Sequence, residues 1–406
     1  LTRRGFNFKI KKAGGAGAAG RMRAWRLHAY GALRELRLED ARVPPLRRPN
    51  DVLVRVAAAS LNPIDVAMIG GYGARALNTL RALEGAEGVE FPLVPGRDFV
   101  GEVRRAGPAA RLRVGQRVWG VVPPHRQGSH AHYVVVKDEW AGPAPHTLDD
   151  LSAGGALYAA LTASAALRVA GLGPGRAERA RVLLLGLGGV GQAALQLLAA
   201  RGARVTVGAA AALAELAARL GAVATLDRHA EDYDGRLEAA GPYDVVLDCA
   251  GLGGEAAAAR RWQFARYVTL TTPLLRSMDE RGVAAGGLCA AAALLAQSAR
   301  VAAGARRGAG AVGGALNMCV NVLWAIHQYG AGTGRLPPHT AHPAKRTQKM
   351  ISAHSRPDCY GDSDIFEVRR MKLINCLVGV VVVQCDCRAR CPGFDSQVEQ
   401  CYWVFL

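Results

Sequence analysis

Apolar and polar positions follow two different rules along the chain. From Met22 to about Asp149 they alternate over short runs that Gly and Pro punctuate. Val52–Ala57, Val100–Arg104, Gln116–Val122 and His132–Val136 read as strands separated by turns. Short strands in this arrangement predict a small barrel-like β domain. Near Thr147 the period changes. Leu148–Leu167 reads as two Ala/Leu helical stretches, with Thr147, Asp149 and Asp150 offering N-cap oxygens. A strict alternation follows: strand Val182–Leu185, helix Gln192–Ala200, strand Arg204–Val207, helix Ala211–Leu220, strand Val245–Leu247 and a further strand at Tyr267–Leu270. Strands alternating with helices of that length imply an α/β domain with a doubly wound parallel sheet. Beyond about Gly304 neither rule continues. The pattern divides the chain into a leader (1–21), a β domain (22–149), an α/β domain (150–304) and a divergent, poorly ordered tail (305–406).

The sharpest motif lies between strand Val182–Leu185 and helix Gln192–Ala200. Gly186, Gly188 and Gly191 match Gly-x-Gly-x-x-Gly, with Leu187, Gly189 and Val190 completing the turn. The context is the one the chemistry requires. Gly186 permits a tight turn, Gly188 lets backbone approach a pyrophosphate, and Gly191 allows the helix to pack on the strand. The free amides and the positive dipole end of the helix then receive the phosphates. A site that prefers NAD places an acid ~20 residues after the glycines, on the ribose 2′-hydroxyl. Val205–Ala214 contains no acid, and the next one, Glu215, falls inside the following helix. Arg204, Arg219 and Arg228 are near in sequence, so NADPH is the predicted cofactor.

Cysteine placement narrows the chemistry. None of the nine cysteines precedes Cys249, so the β domain has no thiolate for a Cys-ligated zinc. His125, His130 and His132 cluster without thiol or carboxylate at ligand spacing, and read as loop and strand residues. In the tail, Cys385, Cys387, Cys391 and Cys401 follow no defined zinc spacing.

Several tracts carry a family resemblance: Ser60–Asp65, Gly70–Gly73, Phe91–Asp98, Val121–Pro124 and Ala160–Ala163. With these the chain resembles the zinc-free quinone-oxidoreductase branch of the medium-chain dehydrogenase/reductases. Gly70–Asn78 and Tyr267–Pro273 are similar to the mitochondrial, reticulon-interacting members of that branch. The resemblance spans about Met22 to Gly304. It implies a GroES-like barrel ahead of a Rossmann domain, NADPH without metal, and hydride transfer to a quinone or activated enone. It also implies a mitochondrial location, a reticulon partner and room for an oligomer.

Carried over residue by residue, the resemblance makes Tyr72 the hydrogen-bond donor or acid and Asn62 the group orienting the nicotinamide or substrate carbonyl. Thr162 would face the nicotinamide, while Ala210, Cys249 and Leu270 flank the cofactor and Arg228 lies near its 2′-phosphate. Arg97 stands where zinc alcohol dehydrogenases carry a His ligand. The turn Gly186–Gly191 is one residue shorter than is usual in the family. The family's last hundred residues complete the sheet and return to the β domain with a further cofactor-contacting segment, which is not recognisable here. Those departures motivate a rival reading, a non-catalytic scaffold that keeps the dinucleotide fold. An enoyl-thioester reductase would share the Asn62 and Tyr72 arrangement.

Charge adds one point. Of the formal +18, residues 1–21 supply six basic side chains and no acid, which is compatible with a mitochondrial leader. Residues 301–406 carry 12 basic and 7 acidic side chains, so the basic excess is concentrated outside the legible domains. No basic stripe interleaves with aromatics, so nucleic acid is not an expected partner. No window reaches the ~20 apolar residues of a membrane span, so the chain is not expected to be an integral membrane protein.

Overall fold

The computed structural model describes residues 20–83, 90–253, 256–257 and 259–308, together with strands at 316–319 and 381–384. The basic leader before residue 20 and most of the expected tail lie outside the described residues.

An antiparallel hairpin of β1 (Arg21–Leu27) and β2 (Leu36–Arg42) comes first among the described residues. β3 (Asp51–Leu61) then forms the centre of the barrel-like sheet. It is followed by the short helices α1 (Pro63–Ile69) and α2 (Ala74–Leu83). β4 (Asp98–Ala106) and β6 (Tyr133–Lys137) pair antiparallel on either side of β3, and β4 continues to β5 (Arg117–Val121) and β7 (Ala141–Pro143). β3 outruns its predicted end at Ala57. Ala58, Ala59, Ser60 and Leu61 break the alternation, and all four are buried because both faces of the strand are covered. Val52, Val54 and Val56 pack with Phe99, Val103, Val118, Val134 and Val136 to form the barrel core. Each such fully buried side chain contributes roughly 1.5–3 kcal/mol.

α3 (Asp150–Val169) is one helix of 20 residues, not the two stretches expected. Asp149 caps it, its carboxylate accepting the Ser152 amide at 2.7 Å. Gly154 and Gly155 are buried within the helix, where tertiary packing overrides their weak propensity. The helix joins the two cores. Ala153 packs with Ala58 and Val100 of the barrel, whereas Ala163, Ala166 and Leu167 pack with Leu184 and Leu195 of the second domain.

The second domain runs β8 (Arg181–Leu185), α4 (Gly189–Ala200), β9 (Arg204–Ala209), α5 (Ala214–Arg219), β10 (Ala224–Asp227), α6 (Tyr233–Ala240), β11 (Tyr243–Asp248) and β12 (Phe264–Thr269). α7 (Leu274–Arg281) and α8 (Val283–Gly308) follow. The helix expected over Ala211–Leu220 is a 3-10 turn, Ala211–Leu213, followed by the short α5. β10 and α6 were not expected, since Ala224–Asp227 spans four residues with little apolar content. Val182, Leu183 and Leu184 are fully buried, as a strand covered on both faces requires.

The parallel sheet has the order β10-β9-β8-β11-β12-β13, in which β13 (Leu316–Cys319) pairs with β12. β14 (Val381–Gln384) pairs antiparallel with β3 in the barrel sheet. Two pieces of the stretch expected to diverge therefore add to the two sheets. The chain departs from β8 in opposite directions, to β9 and to β11. Such a switch point opens a crevice at the carboxyl ends of the strands. Among the described residues no helix is long and apolar enough to cross a membrane.

Candidate active site

The crevice is built on the glycine turn. Gly186 has φ +86°, a conformation side chains other than glycine rarely adopt, and its amide donates to the Gly208 carbonyl at 2.8 Å. A Cβ on Gly191 would stand 2.2 Å from the Gly186 carbonyl oxygen, so only glycine lets α4 close against the end of β8. α4 starts at Gly189, earlier than predicted, because the end of the glycine turn is already helical. Gly188 precedes it in extended conformation. Leu187 is buried in the domain core, and Val190 is packed against it. Gln192 holds the turn from within, its Nε2 donating to the Leu187 carbonyl at 3.0 Å. The amides of α4's first turn have no partners within their own helix. With the Cβ-free cradle beneath them, they fit a dinucleotide pyrophosphate.

The other carboxyl ends converge on the same crevice. Ala210 follows β9, and the Arg228 amide, just past β10, donates to the Ala209 carbonyl at 3.0 Å. Cys249 sits beside the turn, with its amide on the Leu185 carbonyl at 2.9 Å, and Leu270 follows β12 with its amide on the Asp248 carbonyl at 3.4 Å. Burial pushes the Cys249 thiol well up, which keeps it protonated and un-nucleophilic. The three nearby arginines separate. Arg204 opens β9 opposite Arg181, roughly 17 Å from the crevice at ~3.3 Å per residue. Arg219 pairs with Glu215 at 2.8 Å. Arg228 alone of the three stands at a carboxyl strand end, where its Nε donates to His229 Nε2 at 3.1 Å.

Asp248 organises the loop that carries Cys249. It is fully buried, and its Oδ1 accepts the amides of Ala250, Gly251 and Leu252 at 3.1, 2.8 and 3.1 Å. Its Oδ2 accepts the Gly253 amide at 3.0 Å, the Tyr267 hydroxyl at 2.7 Å and the Thr269 hydroxyl at 3.3 Å. Such a set of donors satisfies a buried carboxylate and fixes the loop against the glycine turn.

On the barrel side, Asn62 is almost wholly buried at the start of α1, and its amide donates to Asp65 Oδ2 at 2.8 Å. Its Nδ2 donates to Ser60 Oγ at 2.8 Å, and Ser60 Oγ donates in turn to the Asp98 carboxylate at 2.6 Å. The His130 ring bonds the Ser60 carbonyl at 2.9 Å. Arg97 is completely buried beside Asp65, with Nε–Oδ1 at 3.5 Å, and it donates to the carbonyls of Val94, Pro123 and Arg126. Tyr158 of α3 is buried next to Asp65, Arg97 and Asp98. This network was not read from the sequence as a unit. The three expected histidines have separate tasks: the His125 carbonyl accepts from Arg81, His130 serves Ser60, and His132 Nδ1 accepts the Arg23 amide.

Burial pushes the Asp98 carboxyl up to about 7, against hydrogen bonds from Ser60 that favour the ionised form. The folded chain therefore holds a proton here that the unfolded chain has released above about pH 4. Stability from this group is full below about pH 4, declines as pH rises toward about 7 and levels off beyond. Asp98→Asn is expected to flatten that slope. Urea midpoints at about pH 5 and pH 8 check it, and an unchanged difference between them would exonerate Asp98.

Tyr72 lies in the loop between α1 and α2, half-buried, with its amide on the Ala67 carbonyl at 3.0 Å. Thr162 is buried on α3, and its hydroxyl donates to the Tyr158 carbonyl at 2.8 Å.

Comparison with known proteins agrees with this architecture. Residues 48–146 match the alcohol dehydrogenase GroES-like domain. The mitochondrial NAD(P)H oxidoreductase RTN4IP1 of Drosophila melanogaster is 42% identical over 283 residues, covering 67% of this chain and 68% of that protein. The mitochondrial reticulon-4-interacting protein 1 of Caenorhabditis elegans is 34% identical over 277 residues, covering 65% of this chain and 74% of that protein. The structure of the quinone oxidoreductase from Coxiella burnetii shares the fold, with a TM-score of 0.56 at 24% identity over 77% of this chain and 87% of that one. A glycine-turn Rossmann domain behind a GroES-like barrel, and relatives of this closeness, lead to one assignment: the chain belongs to the mitochondrial NAD(P)H oxidoreductase family of RTN4IP1, within the medium-chain dehydrogenase/reductases.

Proposed function

We propose that the chain is a mitochondrial, NADPH-dependent and zinc-independent reductase of quinones or activated enones. The observation that carries the cofactor choice is the carboxyl end of β9 and β10: Ala210 follows β9 in a stretch, Val205–Ala214, that holds no acid, and Arg228 follows Asp227, whose Oδ1 is already taken by the His229 amide at 3.1 Å. A guanidinium suits the bidentate binding of a 2′-phosphate. Bound NADPH supplies hydride for the electron-poor carbon of the substrate.

The chain's own residues do the rest. The amides of α4's first turn hold the pyrophosphate, and Cys249 and Leu270 line the crevice beside it. The Asp248 loop keeps that wall in place. Tyr72 donates a hydrogen bond to the substrate oxygen on which negative charge develops, and it can pass on its proton. Asn62, held by Ser60 and Asp65, orients the reacting groups from the barrel side. Thr162 closes the crevice at α3. Zinc independence rests on the missing thiolates and on Arg97, a buried cation that already compensates Asp65 in the barrel. The name of the Caenorhabditis elegans relative supports a reticulon as protein partner.

Steady-state oxidation of NADPH and of NADH with 1,4-benzoquinone tests the reading. KM for NADPH is expected well below that for NADH, and equal or reversed values would overturn the cofactor assignment.

A further inference from the structure

The loop that carries Tyr72 is held from both sides, and one of the holds comes from the other domain. On the barrel side, α1 ends in a succession of turns. The Gly71 amide donates to the Met68 carbonyl at 3.0 Å and the Tyr72 amide to the Ala67 carbonyl at 3.0 Å. Gly71 and Gly73 both adopt positive φ, +89° and +79°, so the chain reverses sharply on each side of the tyrosine. On the far side stands Asp279 of α7, in the segment after β12. Its Oδ2 accepts the Gly73 amide at 2.6 Å and its Oδ1 accepts the Arg75 amide at 3.1 Å. These contacts join residues more than 200 positions apart. Leu275, one helical turn before Asp279, seals the contact. A Cβ on Gly73 would lie 3.2 Å from its Cδ1, and Gly73 is buried there.

We propose that Asp279 is a positioning residue of the reductase: a clasp from the cofactor domain that fixes the Tyr72 loop, and so the Tyr72 phenol, relative to the crevice. The inference rests on Tyr72 acting as the donor of the reaction. Two features favour a clasp over a merely structural cap. Both carboxylate oxygens are used, each on a different amide, which fixes the loop in translation and in twist. The amides served belong to Gly73, next to Tyr72, and to Arg75, where the loop enters α2, whereas Leu77, which packs α2 against Met68, Ile69 and Leu93, lies further along. Because α7 follows β12 directly, the clasp ties the position of the phenol to the sheet that carries the glycine turn. A carboxylate on two amides is stronger than a neutral acceptor, and a displacement of the order of 1 Å at a reacting group lowers rates by up to about 10²-fold.

Asp279→Ala, Asp279→Asn and Tyr72→Phe, with the double variant Tyr72→Phe/Asp279→Ala, test the proposal in NADPH oxidation with 1,4-benzoquinone. Asp279→Ala is expected to lower kcat about tenfold while the Kd for NADPH moves less than about twofold. Asp279→Asn keeps one acceptor oxygen and should recover part of the rate, and it carries the test if the alanine variant fails to fold. In the Tyr72→Phe background, Asp279→Ala should cost no further rate, because the clasp then has no phenol to position. Wild-type kcat for Asp279→Ala beside an impaired Tyr72→Phe would overturn the clasp alone. Losses that add in the double variant would make Asp279 a general structural residue. Wild-type kcat for Tyr72→Phe would overturn the donor assignment, and with it the clasp.

Discussion

Gly191→Ala is expected to raise the Kd for NADPH at least about 30-fold. The added Cβ would meet the Gly186 carbonyl oxygen at 2.2 Å and its carbon at 3.1 Å. Both are backbone atoms of the turn itself, so no side chain can swing away. Either α4 slides off β8 or the turn opens, and each response moves the amides that we propose as the pyrophosphate cradle. Overpacking of this kind costs about 1–3 kcal/mol, and about 2 kcal/mol corresponds to the stated loss. Gly142→Ala is the control, because a Cβ there meets nothing within 4 Å. Quenching of tryptophan fluorescence on titration with NADPH measures both. A Gly191→Ala variant within threefold of wild type would mean that the turn does not hold the phosphates.

Arg97→Ala carries the largest expected loss of stability, about 3–5 kcal/mol. Arg97 is fully buried, and so is its partner Asp65. Removing the guanidinium strands a buried carboxylate and withdraws a donor from the carbonyls of Val94, Pro123 and Arg126. Asp65 does retain the amides of Asn62 and Gly96, at 2.8 Å each, but these are dipoles where a full charge stood. The exposed pair Arg55–Glu102, at 3.1 Å, gives the comparison: Arg55→Ala should cost no more than about 1 kcal/mol. Urea unfolding monitored by circular dichroism reads the two side by side. If Arg97→Ala cost no more than Arg55→Ala, the buried pair would not be holding the barrel floor.

What the sequence disclosed and what it concealed follow from the range of the interactions. The glycine turn was legible because the strand, the three glycines and the helix lie within 20 residues of one another and each has a local reason. Ala210, Arg228, Cys249 and Leu270 came from resemblance, and the parallel sheet brings their backbones to one edge. Arg204 was misleading because proximity in sequence ignores strand direction: β9 carries its first residue away from the crevice. The extension of β3 through Ala58–Leu61 was hidden, since a strand buried on both faces loses its alternation. Arg97 was legible as a residue, but its burial was not. The path from Asn62 through Ser60 to Asp98 joins residues 38 positions apart, and the Asp279 contact spans 206, so neither leaves a periodic trace. Tyr158 was concealed for another reason. It lies in an Ala/Leu helix where a tyrosine reads as packing, and only the barrel packed against that helix gives it polar neighbours.

The most direct test of a zinc-free NADPH reductase is turnover of 1,4-benzoquinone by chelator-treated protein. The expected result is NADPH oxidation at the untreated rate, with KM for NADPH well below that for NADH. Absence of turnover with NADPH, or loss on chelation that added zinc restores, would contradict it.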